Sequence, residues 1–379
     1  MSWVDRASRE RALLVVTTAI ALSCSSSGDQ ILGRVVADKV APIVLSEAGT
    51  PSTDASIADC DSTEVEAKAL EVDLYAIIDR SQSMQDPDID KWEILVTSFT
   101  RFLQSGVANG TWFGVGFFPM GPDEMCRNDP RPCFGRGASC NPDMYANARV
   151  EISKLPDNYQ LLVTSIFQQP TGAPTLTRPA LQGSLTHASS WERTHPGRRV
   201  VDILITGGPP SPDACQPNGV QDCANAVSAV SSKTYVIAFG TDKAALDPIA
   251  FAGGGEAFFI DIRDTMTDRL GEIIKQILDD ETGCEWAVPP PPSPGFDYGK
   301  LNVEVTGLLS NLPQAPTVLT KVKNRQGCDG EKLEWYYDNN THPTRIIACN
   351  STCKGIHQSP AATTKISLGC QSLTAAATK

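Results

Sequence analysis

The sequence predicts an α/β fold, a doubly wound and mostly parallel sheet, followed by a small disulfide-stapled β module. Three observations carry that expectation. Short apolar runs alternate with amphipathic helical patterns between residues 71 and 278, the alternation that builds a parallel sheet with helices on both faces. A proline-rich run, Val288 to Pro294, then intervenes and reads as a stiff connector. Beyond it, short apolar segments alternate with turn residues and with Cys328, Cys349, Cys353 and Cys370, the pattern of a small β module held by disulfides.

The elements follow in order. Glu71 to Asp79 (EVDLYAIID) is an apolar run ending in a carboxylate, as a buried parallel strand reads. Trp92, Leu95, Val96, Phe99 and Phe102 fall at helical spacing, which predicts an amphipathic helix over 91–103. Further strands are expected at Thr111 to Pro119, Arg199 to Thr206, Lys233 to Gly240 and Glu256 to Ile262. Helical patterns at 157–168, 177–191, 220–231 and 243–251 separate them. Met266, Leu270, Ile273, Ile274 and Ile277 mark a last helix over 264–278.

Composition narrows the function. A chain of 379 residues with 41% apolar and 20% charged residues buries a full core and is not disordered as a whole. Its formal charge of −12 opposes charge-driven binding to nucleic acid or to anionic lipid. Past residue 30 no apolar run reaches the length of about 18 residues that a membrane span needs. At the start, Arg6, Arg9 and Arg11 precede an apolar stretch over 12–22 and then Ser-Cys-Ser-Ser-Ser, the layout of an export signal. Ala21-Leu22-Ser23-Cys24 resembles a bacterial lipobox with the leucine and the small residue exchanged. It implies lipidation at Cys24 and an envelope lipoprotein attached to the membrane through that anchor alone. Ordinary cleavage would instead give a periplasmic or secreted protein. Twelve cysteines agree with export to an oxidising compartment. The resulting plan is a signal peptide (1–23), a low-complexity tether (24–66), the α/β domain (67–283, with a cysteine-containing insertion at 120–148), a Pro-rich linker (284–298) and the β module (299–379).

The chemistry sits after the first strand of that domain. Asp79-Arg80-Ser81-Gln82-Ser83 places a carboxylate and two hydroxyls at alternate positions in a strand-to-helix loop, where they converge on one hard cation. Here the chain resembles the von Willebrand factor type A domain, whose metal-ion-dependent adhesion site opens with this motif. The resemblance covers roughly residues 68–280. Thr175 in Thr175-Leu176-Thr177 matches the family's second element. The third element, an aspartate after a strand, is replaced by Gly207 in Thr206-Gly207-Gly208-Pro209. The resemblance implies Mg²⁺ (or Mn²⁺ or Ca²⁺) held by Asp79, Ser81, Ser83 and Thr175, with one coordination position open to a carboxylate of a protein or matrix ligand. One carboxylate fewer implies weaker metal binding. Asp86, Asp88 and Asp90 offer outer-shell charge; the plainer reading is a solvated acidic loop and favourable charge at a helix start. The rival to an adhesion protein is a metal-independent structural subunit of an envelope assembly, with Gly207 marking a lost site. An enzyme is not expected: His187, His195, His342 and His357 are scattered, and no G-x-S-x-G, P-loop or strand-borne G-x-G-x-x-G occurs.

The cysteines extend the expectation. Cys126, Cys133 and Cys140 are evenly spaced in the insertion and read as disulfide cysteines of an exported chain rather than metal ligands. Cys215 and Cys223 flank a short loop and are expected to close on each other. Cys60 and Cys284 bracket the α/β domain, and the type A resemblance implies a bridge between them. Cys328, Cys349, Cys353 and Cys370 allow three pairings among themselves.

Overall fold

The computed structural model describes residues 63–85, 90–120, 139–167, 170–241, 243–262, 268–308, 316–359 and 361–374. The export signal, the lipidation site Cys24, and Cys60, Asp86, Asp88, Cys126 and Cys133 lie outside the described residues.

The chain enters through β1 (Thr63–Glu66) and then builds a six-stranded sheet. Its strands are β2 (Glu71–Asp79), β3 (Trp112–Phe118), β4 (Val150–Lys154), β5 (Arg198–Thr206), β6 (Lys233–Phe239) and β7 (Gly254–Ile260), in the order β4-β3-β2-β5-β6-β7. All neighbours are parallel except β4, which runs antiparallel at the edge. The helices are α1 (Lys91–Gln104), α2 (Tyr159–Ile166), α3 (Thr177–Thr194), α4 (Val220–Ser228), α5 (Asp247–Ala252) and α6 (Arg269–Glu281). Side-chain alternation along β2 divides the core between the two faces. Leu74, Ala76 and Ile78 pack with Trp92, Leu95 and Phe99 of α1 and with Ile273 and Ile277 of α6. Ile77 packs with Leu181 and Leu185 of α3 and Val227 of α4. This is the doubly wound sheet that the alternating pattern predicts. Edge strand β4 escaped that reading, because five residues with one clean alternation (VEISK) carry little periodicity.

The C-terminal module departs from expectation in composition and in extent. Its strands β8 (Glu285–Ala287), β9 (Leu301–Thr306), β10 (Thr317–Val318), β11 (Thr320–Lys321), β12 (Glu334–Tyr337), β13 (Arg345–Ala348) and β14 (Thr363–Leu368) are joined by an eight-residue helix, α7 (Asn350–His357), so the module is not all-β. Two four-stranded sheets result, β1-β14-β9-β10 and β11-β12-β13-β8. Thus β1, from the expected tether, pairs antiparallel with β14. Likewise β8, from the expected linker, pairs with β13. The α/β domain is therefore inserted between two strands of the module. No sequence signal announced β1, since all four of its residues (TEVE) are exposed.

Three disulfides are present among the described residues: Cys140–Cys215, Cys284–Cys353 and Cys328–Cys349. Cys370 is disulfide-bonded as well. Two expected pairings are corrected, and so is the expectation that Cys328, Cys349, Cys353 and Cys370 pair among themselves, since Cys353 bonds Cys284. Cys215 bonds Cys140 rather than Cys223, because Cys223 points from α4 into the apolar core beside Leu181 and Val227. It is a free thiol there, pushed by burial up to about 12. Cys284 bonds Cys353 rather than Cys60, because α6 delivers Cys284 against α7 of the module. Such bridges fit an exported, oxidised protein, and among the described residues no helix is long and apolar enough to cross a membrane.

A buried ionic cluster fixes the module to the start of β5. Arg199, 1% exposed, contacts Glu281 at the end of α6 (2.6 Å) and Glu285 of β8 (2.9 Å). Lys233 and the Tyr235 hydroxyl also reach Glu281, at 3.0 and 2.5 Å. Arg345 of β13 joins Glu192 of α3 (3.0 Å) to Glu285 (3.5 Å). Burial alone would raise the Glu281 carboxyl, but the Lys233 and Arg199 charges override it and hold it down at about 2. Removing one partner of such a cluster strands its neighbours in a dry interior. Arg199→Leu is expected to cost about 3–5 kcal/mol in urea unfolding, whereas breaking the exposed Lys365–Glu64 pair should be barely measurable.

A second buried group has no such relief. Tyr75, Asp202 and Thr234 occupy registered positions on β2, β5 and β6. The Tyr75 hydroxyl, both Asp202 carboxylate oxygens and the Thr234 hydroxyl have no hydrogen-bond partner among the described residues. The nearby Ser184 hydroxyl donates instead to Leu181 O (3.0 Å). Burial pushes the Asp202 carboxyl up to about 8, and the Glu192 charge adds to the push. The native state thus keeps a proton that the unfolded chain releases, so stability is full in acid and falls as pH rises from about 4 to about 8. Asp202→Asn should remove this slope, of about 1.4 kcal/mol per pH unit at most. Denaturant titrations at pH 5 and pH 8 are expected to show the variant gaining on the parent as pH rises.

Candidate functional site

In the order β4-β3-β2-β5-β6-β7 the chain winds outward in opposite directions from β2 and β5. That leaves a crevice beyond their carboxyl ends, where doubly wound sheets place ligands. Asp79 closes β2 there, fully buried, and Thr206 closes β5. Backbone hydrogen bonds from Gln82 N to Ala173 O (2.8 Å) and from Thr171 N to Arg80 O (2.7 Å) then stitch the loop after β2 to the loop before α3. This stitching brings Thr175 to the motif from 94 residues away.

All four expected ligands are brought together. Ser81 Oγ lies 2.9 Å from Ser83 Oγ and 2.8 Å from Thr175 Oγ1. Ser83 Oγ donates to Asp79 Oδ2 (2.8 Å), and Ser81 N donates to Asp79 Oδ1 (2.7 Å). Asp79 and Ser81 are fully buried and Thr175 nearly so, while Ser83 is half-buried and forms the opening. Asp79 has no cationic partner among the described residues. Burial raises its carboxyl above the ordinary range, and hydrogen bonds from Thr206, Ser81 and Ser83 offset that only in part.

Four further residues shape the site. Thr206 Oγ1 donates to Asp79 Oδ2 at 2.7 Å, so the first residue of the T-G-G-P string holds the carboxylate directly. Lys91, buried at the start of α1, donates from Nζ to Gly207 O at 2.9 Å. Ser211 Oγ accepts from Thr175 N (3.0 Å). Asn218, 1% exposed, donates to Thr175 O (2.9 Å) and Ser211 O (2.8 Å) and accepts from Arg178 N at 2.8 Å. The Cys140–Cys215 bridge anchors the same loop. Of these, only Thr206 stood beside a recognised motif. Asp90, offered as outer-shell charge, instead caps α1 by accepting from Glu93 N (3.0 Å).

The glycine at the third position is built into the packing. A Cβ on Gly207 would meet Met84 Sδ at 2.6 Å and the Ser83 carbonyl oxygen at 2.7 Å. The turn 82–84 thus lies against the space that a side chain at 207 would enter. The oxygen set fits a hard cation in donor type and spacing: octahedral coordination at about 2.0–2.1 Å puts adjacent ligand oxygens about 2.9 Å apart. It does not supply a second inner carboxylate.

Neither a family model nor a curated protein matches the sequence. Among solved structures, the chain is similar to a von Willebrand factor type A protein from Catenulispora acidiphila, with 13% identity over 82% of this chain and 61% of that one, TM-score 0.40. It is also similar to the pilus adhesin SpaC from Lactobacillus rhamnosus GG (12%, 82% and 40%, TM-score 0.40). A third is the proximal thread matrix protein 1 of the mussel byssus (17%, 59% and 51%, TM-score 0.39). The chain spans 40% to 61% of the length of these proteins. Likeness this remote carries no functional information.

Gly207→Ala is expected to destabilise the protein by about 1–3 kcal/mol, as overpacking does, because a backbone carbonyl cannot yield as a side chain would. Thermal melting reads the change. An alanine tolerated without loss would show that the turn 82–84 moves freely.

Proposed function

We propose that this chain is an exported, non-enzymatic binding protein that presents a weakly held divalent cation at the crevice of its α/β domain. The convergence of Asp79, Ser81, Ser83 and Thr175 carries the reading, because three of their oxygen–oxygen separations, 2.8–2.9 Å, match the spacing of neighbouring oxygens around a hard cation. Ser81, Ser83 and Thr175 would hold Mg²⁺ or Mn²⁺ through hydroxyls, with Asp79 compensating its charge. The ion would supply an electrophilic position for a carboxylate of a protein or matrix partner. Thr206 and the Ser81 amide keep the Asp79 carboxylate aimed inward. Asn218 and Ser211 hold the Thr175 loop in register. Ser83, the half-buried member, sets where a partner enters.

One observation favours a second reading. The four side chains already satisfy one another, and Met84 closes the space beside Gly207. In that reading the crevice is a locked structural feature, and the protein binds through its surface as a metal-independent subunit of an envelope assembly.

Titration of Mg²⁺ and Mn²⁺ into the oxidised, chelator-stripped chain separates the two. Saturable one-site heat is expected, together with a melting shift equivalent to about 2.7 kcal/mol at a hundredfold excess over Kd, both lost in Asp79→Asn. A folded protein silent in both measurements at millimolar metal would leave the metal-independent reading.

A further inference from the structure

Where the module meets the α/β domain, a cavity of about 500 Å³ opens between α4, α5, the start of β7 and the module's 325–330 turn. The volume is that of a small-molecule site, and its walls are mostly apolar. Phe251 on α5 stands at the cavity with 85% of its surface exposed, so its ring face is open to a ligand. Tyr336 and the Cys328–Cys349 bridge form part of the opposite wall.

The charge on the wall is one-sided. Arg325 donates to Ser231 O (2.7 Å), Ser232 O (3.3 Å), Ala252 O (3.2 Å) and the Tyr336 hydroxyl (3.5 Å). These partners are neutral, and among the described residues no carboxylate pairs with it. A guanidinium has five N–H donors; these contacts engage four of them and leave its positive charge without a carboxylate at the cavity wall. The other ionic groups there are already matched: Asp329 pairs with Lys332 at 3.1 Å, and Lys233 with Glu281 at 3.0 Å.

We infer that this cavity is a second binding site, separate from the crevice, for a small flat apolar molecule bearing one anionic group. The ring of such a ligand stacks on Phe251, and its anion meets Arg325. A charge-assisted contact to a planar guanidinium supplies orientation, while the apolar walls supply the area.

The probe is 8-anilinonaphthalene-1-sulfonate, an aromatic monoanion whose fluorescence rises in apolar sites, titrated into the folded full chain. N-phenyl-1-naphthylamine, the same ring system without the sulfonate, serves as the neutral control. One saturable site is expected, lost in Phe251→Ser and in Asn225→Trp. Both positions are exposed on the cavity rim, so neither change disturbs the fold. Arg325→Gln also gives up three carbonyl contacts, so the charge is read as a ratio: the sulfonate should weaken about tenfold or more relative to the neutral amine, the worth of a charged hydrogen bond. Absence of saturable binding, or binding indifferent to Phe251→Ser and Asn225→Trp, overturns the site. Equal weakening of both probes by Arg325→Gln overturns the anionic class of ligand.

Discussion

The ionic cluster around Arg199 is the constraint on which the architecture rests. It gathers the start of β5, the end of α6, β8, β13 and α3 in one place, where no single apolar core reaches all of them. Placing charges in a dry interior is costly, and their mutual attraction offsets this only when every member is matched. What the cluster adds over a greasy contact is register: a guanidinium between two carboxylates tolerates little sliding. Its position explains the separation of tasks in the domain. One end of β5 is committed to docking the module, and the other end, at Thr206, is free to shape the crevice.

The crevice shows how little of a site its recognisable motif provides. Asp79, Ser81 and Ser83 come from one loop, but their geometry is set from outside it. Thr206 holds the carboxylate, the 171–175 segment is stitched to the motif through its backbone, and Asn218 ties Thr175 to the loop that carries Gly207. Lys91 adds a buried positive charge on the Gly207 carbonyl. Removing a carboxylate while keeping a lysine close makes the environment less negative, and any cation bound there more easily displaced.

Much of this was legible in the sequence, and the failures have physical causes. The strands of the parallel sheet are buried on both faces, so they read as continuous apolar runs, and β2 coincides with the run EVDLYAIID. Asp79, Ser81 and Ser83 were visible because a short motif needs only local order; Thr175, 94 residues from Ser81, was expected only through the type A resemblance. Asn218, Ser211 and Lys91 were not, since each acts through a contact with distant backbone that no spacing rule encodes. β1 and β8 were missed because four and three residues on sheet edges carry no periodicity. The disulfide errors had two sources: Cys215–Cys223 came from preferring near neighbours in sequence, and Cys60–Cys284 from the type A resemblance, whereas Cys284 bonds Cys353. Cys223 lies eight positions from Cys215, yet its helix turns it into the core, whereas Cys140 crosses 75 residues to bond.

The insertion of the α/β domain between β1 and β8 has a mechanical consequence. Thr63 and Leu368 are paired at the open end of the β1–β14 ladder, and the chain after Leu368 stays tied to the module, Gly369 N to Lys300 O (2.9 Å) and Ser372 N to Gly299 O (2.8 Å). Tension on the amino-terminal flank therefore loads the four β1–β14 pairs first. A pull between that flank and a partner held in the crevice, as proposed above, would follow the same entry. It crosses from β1 through Leu70, whose amide is bonded to Glu285 O (2.9 Å), into β2, the strand that ends in Asp79. The same strand therefore carries the load and carries the site.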